Sequence, residues 1–178
     1  MCFMTDNTEG TTFFLGSKNV KLLKEIEDFR VRIWSEKVGL DTAKNRFSLD
    51  AADLRTYYCV KYDKNKMIGV GGLTIGNNAN ELKDFCSYSP YLGDMHYPLA
   101  ILSRRVVDKH YRNKNIGKEL VLARIQKAQQ LKMKQVWGEI LEEYNVLLVE
   151  NGFQDQGQSA DKSIPGDWRI MLKDMANS

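Results

Sequence analysis

A chain of 178 residues can bury a core without disulfides or structural metal, and its 26 basic against 23 acidic residues leave a net charge of only +3. So small and evenly spread an excess argues against nucleic-acid binding by bulk electrostatics and leaves a small acidic ligand open. Cys2, Cys59 and Cys86 form no Cys-x-x-Cys pair, and their odd number reads as free thiols in a reducing, cytoplasmic compartment.

No apolar run approaches the roughly 20 residues of a membrane helix, and Met1 to Gly10 lacks the basic start and apolar segment of a signal peptide. One domain, 1–178, is therefore expected, with no membrane partner. Residues Met1 to Gly16 show no helical period, although Phe13, Phe14 and Leu15 suit a short edge strand. Ser17 is expected to cap a helix running to about Val38 and ended by Gly39. Its stripe is Leu22, Leu23, Ile26, Phe29, Ile33 and Trp34, at three- and four-residue spacing. Arg30 falls one turn after Ile26 and one turn before Trp34, an unusual place for a solvated charge. Its two readings are a snorkelling charge beside the core and a substrate ligand.

Asp41 to Asp53 is acidic and aperiodic, which predicts a surface loop holding no more than a short helical turn. Thr56 to Tyr62 alternates as a strand, Asp63–Lys66 is a polar hairpin turn, and Met67 to Ile75 is a β-branched strand thinned by Gly69, Gly71 and Gly72. The glycines imply a bulge or close packing, or a ligand lying against the strand. Glu81 to Cys86 is expected as a third strand of the meander. Ser87 to Pro98 carries Tyr88, Tyr91, His96 and Tyr97 without a regular period and is a candidate binding loop.

An apolar strand, Leu102 to Val107, then leads through a loop of Arg, Lys and Asn into a helix from Gly117 to about Leu131 with an inner stripe of Val121, Ile125, Ala128 and Leu131. A loop entering a helix leaves the first turn's N–H groups without intrahelical partners at the positive end of the dipole, where phosphate is favoured. By the period of two, Ser103 and Arg105 face one side of the strand and Arg104 the other. Two adjacent arginines in a central strand call for partners: either Asp108 or an acid on a neighbouring strand, or a bound anion. Gln135 to Leu141 is another strand, Glu142 to Asn151 a short helix closed by Gly152, Gln154 to Gly166 a polar loop after a strand start at Phe153, and Trp168 to Leu172 a closing strand. His96 and His110 have no Cys or His at ligand spacing, so no metal site is expected.

The run Val107-Asp108-Lys109-His110-Tyr111-Arg112-Asn113-Lys114-Asn115-Ile116-Gly117, followed by a helix, a strand and Glu150-Asn151-Gly152-Phe153, resembles the GNAT superfamily of acyl-CoA-dependent N-acyltransferases. Arg112, Ile116 and Gly117 fit its loop pattern. Asn115 stands where the first glycine would be, and Asn tolerates the left-handed region best after Gly. Arg30 and Trp34, Asp50 and Asp53, and Leu102-Ser103-Arg104 are similar to marks of the acyl-homoserine lactone synthases, which share that core fold. The acid preceding Leu-Ser-Arg in those synthases is Ile101 here, and their Arg on the slim strand is missing from Gly69 to Leu73.

The resemblance implies an α/β (α+β) fold with a mixed, mostly antiparallel twisted sheet of about seven strands and helices on both faces, coenzyme A entering where the central strand parts from its neighbour. It implies N-acyltransfer, above all acetyl transfer, from acetyl-CoA or another acyl-CoA to the amine of a small molecule or amino acid. The alternatives are transfer from a longer acyl carrier to an amino acid and a non-catalytic acyl-CoA-binding module. Cofactor contacts are implied for Val106, Val107, Arg112, Asn113, Lys114, Asn115, Ile116, Gly117 and Lys118, with an oxyanion donor at or near the Val107 N–H. Substrate contacts are implied for Arg30, Trp34, Arg104 and Arg105, and catalytic roles for Ser103, Glu139 and Tyr144. Glu139 would act through a water chain, its other reading being a sheet carboxylate paired with Arg. The family's phenol for the leaving thiolate falls at Leu148, and Tyr144 one turn earlier is the nearest Tyr, its other reading a packed aromatic. No nucleic acid enters, and a homodimer is compatible with the sequence.

Overall fold

Apolar spacing of three and four, then of two, dictates the order of elements in the computed structural model, which describes residues 7–8, 11–83, 85–163 and 165–175. Cys2 lies outside them; Cys59 and Cys86 are free thiols. The chain resolves into two compact units, Met1–Thr74 with Arg104–Arg124, and Ile75–Ser103 with Ile125–Ser178.

In the first unit β1 (Asn7–Thr8), β2 (Thr11–Leu15), β3 (Thr56–Asp63) and β4 (Lys66–Gly76) pair antiparallel in chain order. Side-chain alternation along β3 splits the packing between two faces. Tyr58 and Val60 join Leu23, Ile26, Phe29 and Ile33 of α1 (Val20–Val38), whereas Cys59 joins Phe13, Ile68, and Ile116 and Leu120 at the start of α3 (Ile116–Gln130). Helices thus cover both faces of this unit's strands. Asn19, not Ser17, caps α1, because Gly16–Lys18 forms a 3₁₀ turn and the Asn19 side chain accepts the Leu22 N–H at 3.1 Å. Gly39 ends α1 at φ 82°.

The second unit is built on β5 (Leu99–Val107, as far as Ser103), β6 (Gln135–Leu141), β7 (Gln154–Gln158) and β8 (Trp168–Asp174). β5 runs parallel to β6, from Leu99 opposite Gln135 to Leu102 opposite Gly138. β6 pairs antiparallel with β8, and β8 with β7. Its core joins Leu82, Tyr88 and Met95 to Leu99, Ile101, Trp137 and Ile170, with Tyr88 edge-on to Trp137 at 6.4 Å. The sheet is mixed and mostly antiparallel, as expected, with eight strands among the described residues. No helix among those residues is long and apolar enough to cross a membrane.

Several local expectations are corrected. Asp41 to Asp53 is not a loop: α2 (Leu40–Phe47) occupies most of it, and Ala51–Arg55 is a 3₁₀ turn closed by a capping box between Asp50 and Asp53. Glu81 to Cys86 holds no strand among its described residues but the end of a 3₁₀ turn, Ala79–Leu82, and the start of another, Cys86–Tyr91. Short apolar runs there mimic strand periodicity and instead plug Leu82 and Tyr88 into the core. Phe13–Leu15 is a strand but not the edge, since β1 pairs outside it. Gln154–Gln158, expected as loop, pairs with β8, and the short helix after β6 is reduced to α4 (Val146–Val149) behind a 3₁₀ turn.

The glycines of β4 serve close packing. A Cβ on Gly69 would lie 2.9 Å from Ile116 Cγ2, and one on Gly71 2.8 Å from Arg124 Nε, so α3 rests directly on this strand. Gly16 is tighter still, because its Cβ would fall on the Asp53 carbonyl. Gly16→Ala is expected to displace the Ala51–Arg55 turn and cost about 2 kcal/mol or more, measured as a drop in urea midpoint.

Candidate functional site

Arg30 sits at the interior edge of the α1 stripe because its neighbours one turn away are apolar, and it is buried, 1 % exposed. A buried guanidinium needs all its donors met. Nη1 donates to Asp53 Oδ1 and Tyr58 Oη, both at 2.9 Å. Nε donates to the Phe47 carbonyl at 3.0 Å, and Nη2 to the carbonyls of Phe47 and, at 3.0 Å, Ser48. Five N–H groups find five acceptor contacts. Asp53 is equally buried and also accepts the Tyr58 hydroxyl and the Asp50 N–H. Burial first, then Asp53, pushes the Tyr58 phenol upward against the opposing pull of Arg30 and Arg104.

Arg104 closes the cluster. Its φ of 55° is left-handed, a conformation that costs a non-glycine residue about 1–2 kcal/mol. The strict alternation expected for Ser103, Arg104 and Arg105 therefore breaks at this residue. Its Nη2 lies 2.8 Å from both Asp50 oxygens, and its Nε lies 3.4 Å from Asp53 Oδ1. Burial opposes the Arg104 charge, but Tyr58, Asp53 and Asp50 raise its pKa overall. Two guanidinium and two carboxylate groups thus balance, and the cluster opens to solvent at the Arg104–Asp50 end, where the Asp50 side chain is 56 % exposed. The expected acid partner on a neighbouring strand comes instead from the turn before β3.

The phosphate-loop candidates form a second group in the same unit. Asn113 and Asn115 have φ of 60° and 61°, so Asn115 adopts the left-handed conformation a glycine would. The Asn115 carbonyl accepts the Glu119 N–H at 2.9 Å as the first intrahelical bond, leaving the N–H groups of Ile116, Gly117 and Lys118 ahead of it. A Cβ on Gly117 would meet nothing within 4 Å, so the space over these donors is open to a ligand. Arg112, Asn113, Lys114, Asn115 and Lys118 are exposed, whereas the Ile116 side chain is buried against the position of Gly69. Arg112 Nε lies 3.4 Å from the Val107 carbonyl, and Val106 packs into the α1 cluster. The residues present fit a pyrophosphate: an open N–H array, flanked by cations, at the positive end of a helix.

Other candidates lie elsewhere. Trp34 stacks on Phe47 with ring centroids 4.5 Å apart. Ser103 is half-buried near the end of its unit, Tyr144 is exposed on the 3₁₀ turn Glu142–Tyr144, and Leu148 fills the expected phenol position inside the core. Glu139 accepts the Ser87 hydroxyl at 2.9 Å. Sequence reading missed Arg124, which is buried on α3, donates from Nε to the Leu120 carbonyl at 2.8 Å and from Nη1 to the Gly72 carbonyl at 2.9 Å. Burial, then the Arg105 charge, pushes its guanidinium down to about 9. The signal was present, since Arg124 lies three after Val121 and four before Ala128. Among the described residues no group of three or more His, Cys, Asp or Glu is placed to hold a metal ion.

Residues 21–147 match the sequence model of the acetyltransferase (GNAT) family. No curated protein matches the chain. Among solved structures, the coenzyme A-dependent acyl-homoserine lactone synthase BjaI, with SAM and isopentyl-CoA, is 16% identical with a TM-score of 0.66 over 92% of this chain and 82% of that one. An acyl-CoA N-acyltransferase from Pseudomonas aeruginosa is 12% identical with a TM-score of 0.65, covering 92% and 97%. FeeM, an N-acyl amino acid synthase from uncultured soil microbes, is 9% identical with a TM-score of 0.58, covering 92% and 89%. At such identities these structures share the fold with this chain.

Two outcomes follow from the ionic cluster. Arg30→Met leaves Asp53 buried with its main charge partner removed, and equilibrium unfolding should lose about 3–5 kcal/mol. At Asp50, burial acts to raise the pKa, but Arg104 and the N–H groups of Ala52 and Asp53 outweigh it and hold the carboxyl below its ordinary value. A depressed folded pKa adds stability that is present above the unfolded value and lost as pH falls through the folded one. Asp50→Asn should therefore lower stability above about pH 4, where the carboxylate contributes, and flatten the fall below it, so that the two proteins converge at low pH, measured by urea unfolding at successive pH values.

Proposed function

The chain belongs to the acetyltransferase (GNAT) family, and on that premise we propose that it is an acyl-CoA-dependent N-acyltransferase, with acetyl-CoA as the first donor to test and the amine of a small molecule or amino acid as acceptor. The family uses acyl-CoA. What supports the reading for this chain is the loop into α3: left-handed Asn113 and Asn115, three N–H groups ahead of the first helical bond, and open space over Gly117. In this reading 1–178 is one acyltransferase domain, cytoplasmic, with a small-molecule acceptor and no nucleic-acid or membrane partner.

The N–H groups of Ile116, Gly117 and Lys118 hold the pyrophosphate, with Arg112 and Lys114 adding charge and Val106 and Val107 offering backbone to the rest of the cofactor. The acceptor nitrogen attacks the thioester carbon, a C–N bond forms, the C–S bond breaks and the thiolate leaves, while one proton departs from nitrogen. A backbone N–H near Val107 stabilises the oxyanion. Ser103 and Glu139 are the candidates for the proton path and Tyr144 for the thiolate. Because Arg30 has its donors engaged inside the protein, its part in acceptor binding is to support Arg104 and Asp50. Trp34 and Arg105 line the acceptor side.

A second reading, transfer from a longer acyl carrier to an amino acid, is favoured by the Arg30–Asp53–Arg104–Asp50 cluster, an ionic centre with one solvent-facing end, and by the likeness to BjaI and FeeM. An amine panel incubated with acetyl-CoA and longer acyl-CoA, followed by mass spectrometry, separates the readings. An N-acetylated product supports the first, turnover that requires a long chain supports the second, and binding without product leaves a non-catalytic module. Gly117→Val fills the open space, and the acetyl-CoA dissociation constant by isothermal titration should rise about tenfold or more, about 1.4 kcal/mol, with the melting temperature unchanged.

A further inference from the structure

Immediately before the phosphate loop stands a carboxylate that none of this chemistry uses. Asp108 is 1 % exposed. Its N–H donates to the Ile68 carbonyl of β4 at 2.9 Å, and its Oδ1 accepts the His110 N–H at 3.1 Å. Its Oδ2 accepts no hydrogen bond among the described residues, yet lies 3.2 Å from Lys66 Nζ and 3.5 Å from Arg32 Nη2. It is held by charge rather than by an aligned bond. Burial acts to raise its pKa, and the His110 N–H, Lys66 and Arg32 more than reverse this, so the group is ionised at neutral pH.

The next residue makes a second link: Lys109 Nζ lies 3.1 Å from Glu36 Oε2. Arg32 and Glu36 are one turn apart on α1, Asp108 and Lys109 are adjacent in the chain, and the two pairs have opposite order of sign. From the hairpin turn, Asp63 Oδ2 accepts the Tyr111 hydroxyl at 2.6 Å and Lys66 Nζ lies 5.5 Å from the Tyr111 ring centroid. Residues 108–111 are thereby tied to α1 and to the β3–β4 turn, directly ahead of the exposed stretch 112–115, in which Asn113 and Asn115 are left-handed.

Neither stability nor ligand charge accounts for this arrangement. Lys66 and Arg32 are each about half exposed, so water screens their pull on the buried Asp108 and the pairs do little more than offset the cost of burying it. A bare carboxylate four residues ahead of Arg112, at the entry to a phosphate site, would repel the ligand, and the two cations offset that. What the clamp does supply is order, and a loop held in its bound shape loses less entropy on binding. Resting on the reading of this loop as the phosphate site, we propose that Asp108 is a positioning residue that, with Lys66 and the α1 pair Arg32 and Glu36, preorganises the N–H array of Ile116, Gly117 and Lys118 for an acyl-CoA.

The test uses the full chain with coenzyme A and acetyl-CoA as probes. Asp108→Asn keeps the volume and an oxygen for the His110 N–H but removes the charge. Its dissociation constant for coenzyme A, and KM for acetyl-CoA, should rise about tenfold, with kcat at saturation within about twofold. Amide hydrogen exchange over 109–118 in the ligand-free protein should quicken. Glu36→Lys and Lys109→Glu should each weaken binding about threefold and together restore it. A purely structural role would lower the melting temperature without splitting KM from kcat and without rescue by the swap. Unchanged affinity and unchanged loop exchange in Asp108→Asn, or failure of the swap to rescue, overturns the proposal. Should Asp108→Asn not fold, the surface swap decides. Should the wild type fail to bind coenzyme A, the reading of the loop falls, and the ligand-free exchange rates still decide the clamp.

Discussion

The buried pair between Arg30 and Asp53 is the contact on which the first unit depends. Removing two charges from water costs several kcal/mol per ion, and mutual attraction recovers it only when every remaining donor and acceptor is met. Here the guanidinium draws α1, the end of α2 and the turn Ala51–Arg55 to one point, because its acceptors come from Phe47, Ser48, Asp53 and Tyr58. The capping box between Asp50 and Asp53 then fixes both carboxylates at once. With all five Arg30 N–H groups bonded, the pair has one geometry, and Arg104 joins it from a left-handed backbone, its Nε held at 3.4 Å from Asp53 by charge alone.

On the other face of the same strands, small residues do the positioning. Gly69 and Gly71 let Ile116, Leu120 and Arg124 approach β4 to distances a Cβ would forbid. This packing seats the start of α3 on β4 and gives the N–H groups of its first turn one of their two constraints, the loop before it being the other. Ile116 illustrates the division of labour within one residue: its side chain is buried in the apolar cluster while its amide belongs to the anion-binding turn. The ties of Asp108, Lys109 and Tyr111 to α1 and the β3–β4 turn extend this order backward into the loop.

The sequence by itself determined the elements whose signal is local: α1, β3, β4, β6 and the loop into α3, where period, glycine and cap residues agree. The left-handed Asn115 was legible because few residues tolerate that conformation. The ionic centre of the first unit was half legible, since Arg30 sat visibly out of place on an apolar stripe while its partner Tyr58 looked like any strand aromatic. What only the tertiary structure decided was the partner of each charge. Arg104 meets Asp50 and Asp53 from residues about 50 positions earlier, and Asp108 meets Arg32 and Lys66. Such pairings depend on chain crossings that no periodicity records. The same holds for Ser87 to Pro98, whose aromatics read as a binding loop and whose Tyr88 is core, and for Asp41 to Asp53, where α2 is kept by contact with α1 rather than by its own weak pattern.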